Sequence, residues 1–197
     1  MRVREGIFMW NEIEMEEYLK QNLTEGRLKH SLGVRDTAEA LAQKYGADVH
    51  KARIAGLIHD CAKQMEKSKI LDICVKNGYK LDPVVYKNPG IMHGTAGAII
   101  AKQVMKVEDQ DILNSIEYHT TGRKNMSLLE KIIYLADYIE PSRNFPGVDE
   151  LREAVNRNLD EGLLLSFNST IELVISRGDL IHLNTIDARN YIICNEK

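Results

Sequence analysis

The sequence predicts an all-α protein folded as a single-domain helical bundle. Three observations carry this. Apolar residues recur at spacings of three and four along most of the chain, which is the repeat of one helix face. No segment shows the strand-length alternation of a half-buried sheet. Glycine, proline and asparagine stop signals separate the helical stretches, with no linker, internal repeat or low-complexity tract between them.

Each element has its own local reason. Thr24–Tyr45 sets Leu28, Val34, Ala38, Leu41 and Tyr45 on one stripe. Gly46 follows as a left-handed stop signal. Asp48 is placed to cap a helix that carries Val49, Ala52, Ala55 and Ile58 toward Lys63. Ser68–Asn77 reads as a short helix closed by Gly78. Asp82-Pro83 and Asn88-Pro89-Gly90 are turn signals and bracket the least regular part of the chain. His93–Met105 and Glu108–Tyr118 are expected to be helical. Ser127-Leu128-Leu129-Glu130 is a capping box. It opens the apolar helix KIIYLADYIE, which Pro141 helps to end. Pro146 and Gly147 mark a turn within Ser142–Val148. Helices over Asp149–Asn158 and Leu159–Arg177 follow, with Gly178 as a stop and Thr185 opening a last short helix.

The bulk properties narrow the function classes. A chain of 197 residues suits one domain with a sizeable core. A net charge of -3 does not favour a general nucleic-acid or anionic-membrane binder, which is usually basic. Cys61, Cys74 and Cys194 form no C-x-x-C pair and fit a reducing compartment, where thiols act as small hydrophobes. The start, MRVREGIFMWNEIEMEEYLK, has no apolar stretch of signal-peptide length, and no segment reaches a membrane span. The expected location is the cytoplasm.

The stretch AGLIHDCAK carries the first chemical signal. His59 and Asp60 follow a run of small and apolar residues, where an unpaired charge costs several kcal/mol. Asp137 repeats the anomaly inside the apolar run Ile132–Ile139. His30, His93 and His119 are likewise ionisable residues among apolar ones. Each could have a private explanation: an arginine partner for Asp137, a chance dipeptide for His59-Asp60, a helix C-cap for His119. His50 and His182 are read as ordinary hydrogen-bonded histidines. A single divalent cation explains the anomalous residues together. Imidazole and carboxylate ligands suit iron, manganese or zinc. Adjacent helix residues point about 100° apart, and His59 and Asp60 are expected to converge on one ion at a helix surface. A set of His30, His59, Asp60 and Asp137 leaves positions open for water or substrate, as catalytic sites do.

The order His…His-Asp…Asp on helices resembles the signature of the HD-domain superfamily of metal-dependent phosphohydrolases. The segments RLKHSLGV, AGLIHDCAK, HGTAGA, HTTGRKNMSLLEKIIYLADYIEPSRNFPGV and TIDARN are similar to the YqeK family within it. The resemblance runs from about Arg27 to Asn190, and implies an HD domain over 23–197 preceded by an N-terminal helical extension over 1–22. It implies a symmetrical diadenosine tetraphosphate hydrolase that yields two ADP.

The roles implied follow position by position. His30, His59, Asp60 and Asp137 hold the metal, which is iron in this family, with manganese, cobalt and zinc as the other options. His93 and His119 face the same cavity, either on phosphate oxygens with a proton to move or on a second metal; the first is preferred. Asp60 doubles as an acceptor of the water's proton. Arg27, Lys63 and Arg143 meet the phosphates. Arg27 and Lys63 each lie three residues from a ligand, so they share its face. Arg123 and Lys124 read as an exposed turn and stay outside the site. Tyr79, Tyr86 and Phe145 are the base-stacking options, each as easily core, and the tail Asn184–Asn190 is expected to help close the site. A homodimer through the apolar helix Leu163–Ile175 is left open. Two rivals remain: another HD-type nucleotide phosphohydrolase, or a nucleotide-binding module without catalysis.

Overall fold

The computed structural model describes residues 9–195. Among these are eleven α-helices, one 3-10 turn and no strand, so the all-α expectation holds. The helices are α1 (Glu12–Asn22), α2 (Glu25–Tyr45), α3 (Val49–Ile58), α4 (Lys67–Lys76), α5 (Pro83–Lys87), α6 (His93–Gln103), α7 (Gln110–Tyr118), α8 (Leu128–Ile139), α9 (Val148–Arg157), α10 (Leu159–Ser176) and α11 (Leu183–Asn195). The 3-10 turn Pro89–Met92 leads into α6. The two proline signals thus start short helical turns inside the irregular part.

The local signals act as the sequence indicates. Gly46 and Gly178 are left-handed stops with φ of 76° and 67°. The Asp48 side chain accepts a hydrogen bond from the Lys51 amide. Ser127 and Glu130 form both halves of the capping box on α8. One boundary differs by more than two residues: α3 ends at Ile58, so His59 and Asp60 lie in the turn beyond it and not on a helix surface. The reason is local. His59 Nδ1 hydrogen-bonds back to the Gly56 carbonyl at 2.7 Å, a side-chain bond that competes with continued helix.

The centre of the bundle is α8. Ile132, Ile133, Tyr134, Leu135 and Ala136 have no exposed surface. α2, α3, α7 and α10 surround it. Each fully buried aliphatic side chain there contributes about 1.5–3 kcal/mol. A single hydrophobic cluster runs from Met15 and Leu19 on α1 to Phe167 on α10 and Ile192 on α11. The segment expected as an extension thus supplies core residues through α1; Met1–Phe8 lie outside the described residues. Arg53 on α3 ties α1 down, with Nη2 2.7 Å from Glu12 and Nη1 on Glu39 of α2. No helix among the described residues is long and apolar enough to cross a membrane.

One close approach shapes the site. A Cβ on Gly94 would lie 2.6 Å from the Glu117 carbonyl oxygen. Only glycine lets the first turn of α6 touch the last turn of α7, and that contact brings His93 and His119 together.

Candidate metal centre

Five elements deliver side chains to one place: α2 brings His30, the turn after α3 brings His59 and Asp60, α6 opens with His93, α7 ends at His119, and α8 brings Asp137. Asp60 is the hub. Its carboxylate oxygens lie 3.0 Å from His93 Nε2, 3.5 Å from both His59 Nε2 and His119 Nε2, and 3.8 Å from His30 Nε2. Asp137 Oδ1 is 3.0 Å from His30 Nε2 and 3.9 Å from His59 Nε2. All four histidines and Asp60 are buried, and the Asp137 side chain is 16% exposed at the mouth.

The hydrogen bonds decide which face of each ring looks inward. His59, His93 and His119 each set Nδ1 on the carbonyl three residues back: Gly56 at 2.7 Å, Gly90 at 2.6 Å and Ile116 at 2.7 Å. A carbonyl only accepts, so Nδ1 carries the hydrogen and Nε2 presents its lone pair to the centre. His30 reaches the same state through the carboxylate of Glu140, with Nδ1 3.0 Å from Oε1. Such bonds on the far nitrogen fix the tautomer and orientation of metal-binding histidines.

The arrangement fits a metal ion. His30 Nε2, His59 Nε2 and Asp60 Oδ1 are buried, face the same space and have no hydrogen-bond partner. Buried polar atoms are ordinarily satisfied. His30, His59 and Asp60 can direct donor atoms within 4.8 Å of one another, as can Asp60, His93 and His119. His93 Nε2 and His119 Nε2 approach to 2.9 Å. Two lone pairs at that distance repel unless a proton or another cation lies between them.

The charge balance points the same way. Burial works against the Asp60 carboxylate, but His59, His119 and His93 outweigh it and hold its pKa well below the ordinary range. Burial likewise opposes charge on Asp137, and His30, His59 and Arg143 overcome it. Burial disfavours a charged His59, yet the adjacent Asp60 and Asp137 raise its pKa. The two carboxylates therefore draw positive charge into the cluster. His119 is the exception: burial pushes it down to about 4, which keeps it neutral with its lone pair free.

Cations rim the cluster. Arg27 Nη1 donates to Asp60 Oδ2 at 2.8 Å. Arg143 donates through Nε to the Asp137 carbonyl at 2.6 Å and through Nη2 to the Asp137 carboxylate. Lys63 Nζ stands 3.2 Å from His93 Nε2. Every residue assigned from the sequence thus lies in one cluster. Arg123 stays outside it, but it is no free turn residue: it bonds the buried Glu130 at 2.9 Å. Of the aromatic options, Phe145 lines the cleft. Tyr79 bonds Glu117 elsewhere, at 3.1 Å, and Tyr86 is 66% exposed. The tail braces the site from outside, where Thr185 donates to the Thr121 carbonyl at 3.0 Å. His50 and His182 stand apart from the cluster.

Two participants escaped the sequence reading. Glu140 is 1% exposed and holds His30. Its position three residues after Asp137, on the same helix face, was the available signal. Thr120 Oγ1 lies 3.2 Å from His119 Nε2 and 3.3 Å from His93 Nε2, and nothing in its sequence context marks it.

Comparison with known proteins agrees with this geometry. The HD domain family model matches residues 27–142. The symmetrical bis(5'-nucleosyl)-tetraphosphatase of Halalkalibacterium halodurans is 37% identical over 181 residues, covering 92% of this chain and 96% of that protein. The enzyme of the same name from Bacillus subtilis is 40% identical over 178 residues, covering 89% and 94%. The crystal structure of a predicted HD superfamily hydrolase from Clostridium acetobutylicum, described as involved in NAD metabolism, matches with a TM-score of 0.94 at 55% identity. That match covers 96% of this chain and all of the other.

Proposed function

The chain belongs to the HD domain family, and from that premise we propose that it hydrolyses diadenosine tetraphosphate at the central bridge, giving two ADP. The observation that carries the reading is the buried His-Asp cluster rimmed by Arg27, Lys63 and Arg143, in a chain whose relatives of nearly full length are symmetrical tetraphosphatases. His30, His59, Asp60 and Asp137 would hold a divalent transition metal, with iron as the first choice. When bound, such an ion supplies Lewis acidity and a water activated near neutral pH.

The protein's own groups do the rest. Arg143 and Lys63 line the cleft beside the cluster, and they offset the charge of a polyphosphate as it changes in the transition state. Arg27 adds a third cation beside Asp60. Asp60 accepts the proton of the attacking water. His93 Nε2, whose lone pair lies 3.0 Å from Asp60 Oδ1, takes that proton from Asp60 and passes it to the departing ADP. The reaction consumes one water and releases two identical products.

A second ion on Asp60, His93 and His119 is the alternative use of those histidines, since their donor atoms converge closely enough. Metal analysis of the loaded protein separates the two, at one or two ions per chain. The activity itself is tested by chromatography of the products from diadenosine tetraphosphate and metal-loaded protein. ADP alone is expected. AMP with ATP would place the attack on another phosphorus, and no turnover with iron, manganese or cobalt would overturn the reading.

A further inference from the structure

The substrate proposed above has two identical ends, yet the cleft that would hold it has two unlike lobes. One lobe, of about 600 Å³, is walled by Thr24, Arg27, Gln64, Ser142 and Asn144. The other, of about 540 Å³, is walled by Tyr138, Phe145, Pro146, Ser169, Thr170 and Leu173. His30 opens onto the first, and His119 and Asp137 onto the second, so both lobes reach the metal cluster. Arg143 and Phe145 stand between them and line both.

The chemistry of the walls differs. The first lobe offers amides, hydroxyls and two guanidiniums, which suit phosphate and water, with the Glu140 carboxylate at its wall and Phe145 as its single apolar side chain. The second offers the apolar surfaces that a purine base requires, with hydroxyls to orient a sugar. Tyr138 is held in place there by a 2.7 Å hydrogen bond between its hydroxyl and Thr170 Oγ1. Leu173 is 48% exposed, an apolar side chain open to the cleft with no full cover of its own. Both size estimates fall within the range of about 300–1,000 Å³ typical of small-molecule sites.

We propose that the apolar lobe is the sole nucleoside-gripping subsite, and that the polar lobe grips only phosphate. This rests on the hydrolase reading above and extends it. The division partly follows the chain: the ligand residues lie within the family-matched span 27–142, whereas Phe145, Pro146, Ser169, Thr170 and Leu173 lie beyond it, and of the apolar wall Tyr138 alone lies inside. Metal chemistry comes from the shared domain, and nucleoside recognition comes from α10 and the loop before α9 together with Tyr138 of α8.

One nucleoside is then enough. Adenosine 5'-tetraphosphate should be a substrate, cleaved at its middle bridge to ADP and pyrophosphate. Water adds to one of the two phosphorus atoms flanking that bridge, the opposite P–O bond breaks, and the bridging oxygen leaves with the other half and takes a proton.

The test compares both substrates on metal-loaded wild-type protein and on Leu173→Asp and Ile175→Asp. Leu173 and Ile175 are exposed and neither is among the proposed ligands, and unchanged metal content confirms an intact centre. Adenosine tetraphosphate should give ADP and pyrophosphate with kcat/KM within about tenfold of the dinucleotide. Leu173→Asp should raise KM for both substrates about fivefold or more, on the scale of losing a leucine contact. Ile175→Asp, on the same helix but outside both lobes, should leave both KM values within about twofold. If the dinucleotide is cut to ADP but adenosine tetraphosphate falls below that range, or if Leu173→Asp gives a smaller rise, the single-grip assignment is overturned. If the dinucleotide itself is not cut, it is the hydrolase reading that fails.

Discussion

Glu140 should control metal retention without touching the metal. Its carboxylate accepts from His30 Nδ1 at 3.0 Å and from the Ser142 hydroxyl on Oε1, and from the Ser142 amide at 2.7 Å on Oε2. Both oxygens thus face donors. Burial opposes the charge, but Ser142 and His30 outweigh it and hold the carboxyl below its ordinary range. Glu140→Gln keeps the shape and removes the second acceptor. Whichever way the amide turns, its NH2 group meets an N–H or O–H. A hydrogen bond to a charged group contributes about 1.5–3 kcal/mol, which corresponds to roughly ten- to a hundredfold in an equilibrium constant. Losses of similar size follow removal of the groups that orient metal-binding histidines.

Gly33→Ala reaches the same carboxylate from the other side. Its new Cβ would lie 2.7 Å from Glu140 Oε2, so the carboxylate must shift. Gly33 is inside α2, where alanine by itself would favour the helix by up to about 1 kcal/mol. The two effects separate cleanly. Competition with a chelator should show metal affinity reduced about tenfold or more in both variants. If both variants bind metal within about threefold of wild type, the role given to Glu140 is wrong, because no orienting contact of that strength would have been lost.

Other consequences are equally open to measurement. Asp60→Ala removes the hub of the cluster and should abolish metal retention and turnover together; a variant that keeps its metal and full activity would sink the ligand assignment. Arg53→Ala should destabilise the fold by about 1 kcal/mol at pH 7, a modest figure because the bridge is partly exposed. Arg53 holds the Glu12 carboxyl below its ordinary 4.5, so the bridge is complete above that value and lost as pH falls through it. The melting-temperature gap between variant and wild type should therefore close on acidification, and a gap that widens would contradict the sign. Burial pushes Cys61 up to about 12 and Cys74 up to about 11, while Cys194 is exposed. A thiol reagent at pH 8 should label Cys194 alone in the native protein and all three after unfolding, so rapid native labelling of Cys61 would show that its pocket opens.

The residues proposed as metal ligands were legible because each is ionisable and set in apolar surroundings, and a sequence displays that contrast directly. The helix ends at Gly46, Gly178 and Ser127 were legible because their signals act within a single turn. The end of α3 was not, since no glycine or proline marks it; it stops because an imidazole takes a backbone carbonyl. Glu140 was hidden for a different reason. Its spacing from Asp137 hinted at a shared face, but next to Pro141 it has the look of a surface residue at a helix end, and the fold shows that this end turns inward onto α2. The two lobes were also unreadable. They form where α10 lies across the turn before α9, and no local pattern encodes which face of a distant helix will border a cleft.

The bonds from three histidines to carbonyls three residues behind them bear on when the site acquires its order. His59, His93 and His119 take their direction from their own helical turns, with no distant partner required. Their rotational freedom is lost as those turns form, during folding, and not when an ion arrives. His30 alone waits for a residue 110 positions away. Of the four proposed ligands, His59 is therefore aimed in advance, as are His93 and His119 beside it. An ion entering the cluster would meet these imidazoles already oriented.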